Sequence, residues 1–383
     1  MFSTFQTVSR IVYGCGMVSK LGDEVKKLGC KSVAIITDKG LIEANVHTVL
    51  LDALKASGIK AGVFDGVVLD PTIDAIEKGT EWVKKQKADI LIGLGGGSAM
   101  DTTKAIAVLA THKGPINQYF GMHKVPSACM PTIMIPTTAG TGSEVTSVSV
   151  VTDSASQTKQ GIVSDYIYAK TVLLDPELSI TLNPYYTAIT GLDAMVHGME
   201  SYVNVISTPF TDALNLSAIK MLAANIRQAY TNGQNLKARE QMLYGAAMSG
   251  MGFSQTQNGI IHAIGMSVDP AHHLPHGLLM AVCAPMGLTF NAPANPEKFA
   301  KIAEILGSAK EGDSLIDKAK SAAIGFANLM EDLGIEQGLG KLGIKRQELK
   351  GIAERAAAYR RLMDGNPRKA TAEEILKLLE KFF

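Results

Sequence analysis

Five of the eight histidines fall between residues 197 and 276, and their spacing relative to one aspartate could do chemistry. In Gly191-Leu192-Asp193-Ala194-Met195-Val196-His197 an acid and an imidazole stand at i and i+4 of a helical stretch, so both project from one face. His262 follows in the apolar helical run Asn258-Gly259-Ile260-Ile261-His262, and His276 stands in Pro275-His276-Gly277, where a new helix is expected to begin. One carboxylate and three imidazoles in apolar surroundings suit a borderline divalent metal, iron(II) or zinc, better than magnesium or calcium. Taken singly, His262 and His276 read more readily as satisfied structural histidines, and Asp193 as a helix-terminal or surface charge. As a set they read as ligands, provided that helices distant in sequence converge. His272 and His273 are either further site groups or polar loop residues ahead of Pro275.

A second constellation is Ile90-Leu91-Ile92-Gly93-Leu94-Gly95-Gly96-Gly97-Ser98-Ala99-Met100-Asp101. A buried strand runs through three glycines directly into a helix, with Ser98 expected as N-cap and Asp101 as its capping-box partner. Bare N–H groups at the positive end of a helix favour a phosphate, and a pyrophosphate fits there. The segment departs from the dinucleotide fingerprint, because Ser98 takes the third glycine's place and no acid follows at the usual distance. A tight, well-capped strand–helix turn with no ligand is the alternative. Pro136 to Glu144 forms another such turn, with the hydroxyls of Thr137, Thr138 and Thr141 on mobile backbone. Asp38 follows the short run Val33–Thr37; at a strand's carboxyl end an acid can hold ribose hydroxyls and repel a 2′-phosphate, favouring NAD over NADP. An exposed loop acid is the plain reading of the same residue.

The elements that must position these groups change character along the chain. In the first half, β-branched runs alternate with amphipathic ones: Val33–Thr37 then Leu41–Ala56, Ala61–Phe64 then Ile73–Lys87, Asp89–Leu94 then Ser98–Thr111, and Thr132–Ile135. That alternation predicts a parallel sheet wrapped by helices. Between Val145 and Leu174 short alternating strands predict a hairpin added at the sheet's edge. From about Asn183 helical periodicity takes over in Tyr185–Val203, Thr211–Thr231, Leu236–Phe253, Pro296–Leu306, Ser314–Leu333 and Thr371–Phe382. The division expected is an α/β domain over residues 1–182 and an all-helical domain over 183–383.

Composition narrows the function class. The 383 residues carry 37 Lys+Arg against 36 Asp+Glu, a net charge of +1, so nucleic acid is disfavoured as partner. A hydrophobic fraction of 46% excludes disorder. The 4 cysteines have no CxxC spacing, which fits a reducing cytoplasm and neither a disulfide scaffold nor a thiolate zinc site. The N-terminus lacks the apolar region of a secretory signal. The two long uncharged stretches, 125–143 and 277–295, carry prolines that a lipid-facing helix would not choose, so no membrane span is expected.

With these residues in hand, the chain resembles the iron-containing, or group III, alcohol dehydrogenases nearly end to end. The resemblance rests on GLGGGSAMDTTKAIA at 93–107, PTTAGTGSEVT at 136–146, LLDPELS at 173–179, GLDAMVHGMESYV at 191–203, the stretch from Gly259 to Gly277, and GNPRKAT at 365–371. It implies the dehydroquinate synthase-like fold of that group: a dinucleotide-binding α/β domain, a helical domain and a metal in the cleft between them. It implies Asp193, His197, His262 and His276 as metal ligands, with Fe2+ the expected ion and Zn2+ or another divalent metal the alternative. Gly95, Gly96, Gly97 and Ser98 would hold the pyrophosphate of NAD, Asp38 its adenosine ribose, and Thr137, Thr138, Thr141 and Lys159 would lie along the cofactor. The activity implied is hydride transfer between NAD(H) and a small alcohol/aldehyde pair, by a cytoplasmic homodimer or larger homo-oligomer.

Departures from the family's pattern matter too. Met266 replaces the histidine that often relays a proton, which leaves ordered water, His272 or a ribose hydroxyl for that role beside the metal-bound His276. Asp70-Pro71-Thr72, the stretch from Asp269 to His273, and Arg360-Arg361 near the expected pocket floor are unusual, and point to a polar or anionic aldehyde. The rival readings are a zinc-dependent, glycerol dehydrogenase-like polyol oxidoreductase, which the intact fourth position His276 disfavours, and a nucleotide- or metal-sensing protein on the same scaffold.

Overall fold

The structure, a computed structural model, describes residues 4–153, 158–268 and 270–383. The chain forms two compact units, one of Met1–Leu182 with Gln234–Leu243, the other of Asn183–Gly233 with Tyr244–Phe383.

Among the described residues the first unit is built on nine strands: β1 (Ile11–Tyr13), β2 (Ser32–Ile36), β3 (Lys60–Phe64), β4 (Ile90–Gly95), β5 (Gly121–Met122), β6 (Thr132–Pro136), β7 (Val148–Asp153), β8 (Thr158–Val163) and β9 (Thr171–Leu174). Its α-helices before residue 182 are α1 (Leu21–Lys27), α2 (Lys39–Glu43), α3 (Thr48–Ala56), α4 (Ile73–Gln86) and α5 (Gly97–Thr111). Six strands make one sheet in the order β1-β9-β6-β4-β2-β3, parallel at every pairing. β4 and β6 are buried at every residue, as a sheet covered on both faces requires. Alternate residues feed two cores: Ala34, Ile36 and Leu91 pack with α4 and α5, while Val33, Ile35, Ile90 and Ile92 pack with α1 and α3.

The run expected as one helix from Leu41 is two, because Asn45 takes a left-handed φ of 56° between α2 and α3. The hairpin differs from expectation as well. β7 and β8 pair antiparallel and join β5 in a separate three-stranded sheet, since β1 and β3 already occupy the edges of the main one. What holds the hairpin is α5: the Val150 N–H donates to Asp101 Oδ2 at 3.0 Å, and Ser149 Oγ donates to the Asp101 carbonyl at 2.8 Å.

The second unit is helical. Its helices are α6 (Pro184–Val203), α7 (Pro209–Thr231), most of α8 (Leu236–Thr256), α9 (Ile260–Gly265), α10 (His276–Asn291), α11 (Pro296–Leu306), α12 (Leu315–Asp332), α13 (Leu349–Ala358), α14 (Arg360–Met363) and α15 (Ala372–Lys381). Sequence-local signals start several of them: Asn183, Thr208, Ser314 and Thr371 each accept a first-turn N–H, and Pro184, Pro209 and Pro296 sit at the first helical position. α6 is buried along almost its whole length, packed by α7 and α10. His276–Ala294 is long and apolar enough to cross a membrane, but 78% of that window is buried inside the protein, as in a core helix.

Candidate metal centre and nucleotide turns

In the helical unit, three helices bring one carboxylate and three imidazoles together. Helical spacing stacks His197 over Asp193 on α6, with His197 Nε2 at 3.9 Å from Asp193 Oδ1. His276, the first residue of α10, places Nε2 at 3.7 Å from the same oxygen. His262, on α9, has its ring 4.7 Å from that of His197 and 5.5 Å from that of His276, centroid to centroid. One donor atom from each of the four residues lies within 4.8 Å of all the others. Gly277 makes the approach possible: a Cβ there would fall 2.5 Å from the carbonyl oxygen of Ile189, so only glycine lets α10 start so close to α6. The ring of Phe253 stacks on that of His197 at 4.5 Å and 18°, giving this imidazole an apolar neighbour.

The chemistry of the donor set fits a divalent cation. Asp193 Oδ1 and His262 Nε2 are buried with no hydrogen-bond partner, and both face the cluster. Burial pushes the Asp193 carboxyl up to about 7, helped by the charge of Glu200 and opposed by His262. A cation shared by these donors offsets the desolvation of the carboxylate and occupies the bare lone pairs.

Sequence reasoning missed Glu200, one helical turn beyond His197. Its Oε2 lies 2.6 Å from His262 Nδ1, and its Oε1 accepts from the Ile261 N–H at 2.7 Å. The signal was available, because Asp193, His197 and Glu200 stand at i, i+4 and i+7 on one buried face. The other residues singled out from sequence make contacts of their own. His272 Nε2 is 2.6 Å from Glu348 Oε1, His273 holds a left-handed φ of 51°, and Asp269 lies outside the described residues. Met266 ends α9, its N–H bonded to the His262 carbonyl. Arg360 and Arg361 are exposed on α14, Arg360 paired with Asp364.

In the α/β unit, three turns leave the carboxyl ends of the adjacent strands β2, β4 and β6, with Gly95 in register with Pro136 and Ile36 with Gly93. β3 lies on one side of β2 and β4 on the other, so the strand order reverses between β2 and β4, where open α/β sheets take ligands. The glycine turn corrects one expectation. The N-cap of α5 is Gly96 and not Ser98, and it has no side-chain cap. Asp101 is drawn instead to Val150 and to Ser143 Oγ at 2.6 Å, bonds across more than forty residues that outcompete a local capping box. The first-turn N–H groups of α5 are therefore left without a capping side chain, and an anion fits them.

The glycines have a second cause. A Cβ at Gly96 would meet Thr138 Oγ1 at 3.2 Å, and one at Gly97 would meet Thr141 Cγ2 at 2.7 Å, so the threonine turn lies directly against the glycine turn. Gly95, at φ 145°, lies beside Asp38, which caps α2 by accepting the Leu41 N–H at 3.1 Å. The Thr137 N–H donates to the Gly95 carbonyl at 2.9 Å. Lys159, on β8, is paired with Asp70 at 2.7 Å.

Beneath the threonine turn is a charge cluster that no local signal in the sequence announces. Lys104 is fully buried, and its Nζ shares its three N–H groups among four acceptors, the carbonyl and Oγ of Ser143, Thr146 Oγ1 and the Val148 carbonyl. Burial lowers Lys104 to about 8 against the pull of Asp101 and Glu144, and raises Glu144 to about 7. This cluster pins the turn from below.

Residues 8–176 match the family described as iron-containing alcohol dehydrogenase, and residues 187–383 match the C-terminal region of the Fe-containing alcohol dehydrogenase family. The chain is 48% identical over 379 residues to the sulfoacetaldehyde reductase of Bilophila wadsworthia, covering 98% of both chains. It superposes on the crystal structure of a 1,3-propanediol oxidoreductase with a TM-score of 0.97 at 35% identity, all of both chains covered. On a sulfoacetaldehyde reductase from Bifidobacterium kashiwanohense, solved in complex with NAD+, the TM-score is 0.86 at 25% identity, covering 100% of this chain and 99% of that one. Matched in both halves and along its whole length, the chain belongs to the iron-containing alcohol dehydrogenase family.

Proposed function

We propose that this oxidoreductase reduces a short anionic aldehyde with NADH, with Asp193, His197, His262 and His276 holding iron(II) and the turns after β2, β4 and β6 holding the cofactor. Residues 1–182 then serve as the NAD-binding domain and 183–383 as the metal-binding and catalytic domain. The observation that carries the reading is the convergence of one donor atom from each of four residues within 4.8 Å, two of them buried and unpartnered. Preference for an anionic aldehyde is supported by the relative at 48% identity, whose name specifies a sulfonated aldehyde.

When bound, the metal supplies Lewis acidity toward the substrate oxygen, and the nicotinamide supplies or accepts the hydride. The chain's own residues do the rest. Asp193 and the three histidines fix where the substrate oxygen sits, and the stacked Phe253 keeps water from His197. The uncapped start of α5 at Gly97 and Ser98, with Gly95 and Gly96 before it, takes the pyrophosphate, while Asp38 takes the adenosine ribose and excludes a 2′-phosphate. Thr137, Thr138, Thr141 and Lys159 line the cofactor's path. With Met266 in place of a relay histidine, the proton is assigned to ordered water, a ribose hydroxyl or His272, whose Nε2 lies 2.6 Å from Glu348 Oε1. The chain is placed in the cytoplasm as a homo-oligomer, as its resemblance to the family implies.

The test follows NADH oxidation by absorbance, with iron(II)-reconstituted protein prepared without oxygen, against sulfonated, carboxylated, hydroxylated and unsubstituted short aldehydes. Sulfonated or carboxylated aldehydes are expected to react best, with turnover lost on chelation and in His276→Ala. Equal reaction with propanal would remove the anionic preference, and turnover that survives the chelator would remove the metal.

A further inference from the structure

We propose that Glu200 is the positioning residue of the metal centre: it fixes which ring nitrogen of His262 carries the free lone pair, and it sets α9 in place on α6. The inference rests on the reading of His262 as a ligand. An imidazole can ligate only through a nitrogen that bears no proton, and the partner of the other nitrogen decides which one that is. Glu200 Oε2, 2.6 Å from His262 Nδ1, accepts a hydrogen bond from an Nδ1–H and so keeps the proton on that nitrogen, which leaves Nε2 bare toward Asp193 and His197.

The same carboxylate holds the helix. α9 has six residues, too few to be stable alone, and its N-cap Gly259 offers no side chain. Its first two N–H groups find buried acceptors instead: Ile260 donates to Asn366 Oδ1 at 3.1 Å and Ile261 to Glu200 Oε1 at 2.7 Å. A Cβ on Gly259 would fall 2.7 Å from Asn366 Oδ1 and 3.1 Å from Glu200 Oε1, so glycine is what lets both acceptors reach the helix. Asn366 is fixed in turn by reciprocal bonds with Asn291 at 2.8 and 2.9 Å and by the Arg368 carbonyl. Both oxygens of Glu200 are thus committed to donors on α9, which marks it as a support for a ligand and not a fifth ligand.

Glutamine at 200 cannot serve both donors. With its oxygen on the Ile261 N–H, its NH2 faces Nδ1 and drives His262 to the Nε2–H form, which cannot ligate; flipped, it sets NH2 against N–H in a buried site. The experiment titrates the metal-free wild type, E200Q and E200D with cobalt(II), followed by its visible absorbance, alongside thermal melts of the metal-free proteins. Loss of a supporting carboxylate weakens metal binding roughly 10- to 100-fold, so E200Q is expected in that range. E200D, which keeps the charge but reaches only one donor, is expected between E200Q and the wild type. The tautomer is read on the metal-free wild type by 15N-histidine NMR at pH 8, the signal assigned by its loss in H262N; the Nδ1–H form is expected. Wild-type protein that takes up no cobalt overturns the ligand reading, and this inference with it. Cobalt bound equally by wild type and folded E200Q, or an Nε2–H tautomer in the wild type, overturns the role of Glu200 alone. The tautomer decides the question even where E200Q does not fold.

Discussion

Replacing Gly97 by alanine tests whether the contact of the two turns governs cofactor binding. The added methyl would lie 2.7 Å from Thr141 Cγ2, 2.9 Å from its Oγ1 and 3.2 Å from its Cβ. Rotation about χ1 does not relieve it, because the Cβ contact stays tight and Oγ1 would lose the Ser143 N–H it accepts at 3.2 Å. Nor can the turn retreat, since Lys104 and Asp101 hold Ser143 from the far side. Overpacking of this kind costs about 1–3 kcal/mol, and the better helix propensity of alanine returns at most about 1. Where the strain displaces the threonines from the cofactor, NADH binding is expected to weaken by about 1–2 kcal/mol, roughly 5- to 30-fold. The assay is the dissociation constant of NADH from its fluorescence on binding, with a thermal melt of the cofactor-free protein. Gly96→Ala is the comparison within the same cofactor turn: its methyl meets the Thr138 hydroxyl at 3.2 Å and Cγ2 at 3.4 Å, and a small rotation relieves the contact. A Gly97→Ala protein that binds NADH as the wild type does, or no worse than Gly96→Ala, would refute the reasoning.

Two further outcomes follow from the buried and half-buried charges. Glu144 titrates near 7 in the folded chain against 4.5 for a free side chain, so the stability it permits is full below 4.5 and is lost as pH rises through 7. Glu144→Gln should therefore raise the melting temperature at pH 8 and bring no gain at pH 4; a lower melting temperature at pH 8 would count against it. His272→Ala is expected to lower kcat for aldehyde reduction while leaving NADH binding unchanged, and an unaltered kcat would hand the proton to ordered water or a ribose hydroxyl.

What could be read from sequence depended on how far apart the interacting residues lie. The strand at Ile90, its glycines and the helix that follows are one local signal, and the strand-to-helix alternation carried the sheet with it. Asp193 and His197 needed only the helical period. Failure came where a distant partner overrode a local rule. Ser98 has the right type and spacing for a cap, but Asp101, its intended partner, is claimed by Ser143 and Val150, 42 and 49 residues away. The hairpin's own residues predict a place at the sheet's edge, because nothing in them shows that β1 and β3 fill both edges.

Convergence of the ligands has the same character. Helical spacing can stack His197 over Asp193, but it cannot bring α9 and α10 to them. That is done by Glu200 reaching His262, 62 residues on, and by Gly277 abutting the Ile189 carbonyl. Gly277 left a trace all the same: glycine in the first turn of a long apolar helix sacrifices helix propensity, and such a sacrifice is retained where a side chain would keep two backbones apart. A buried acid seven residues beyond a candidate ligand acid is a trace of the same kind. Both become legible once each unfavourable residue on an apolar helix is asked which distant group it serves.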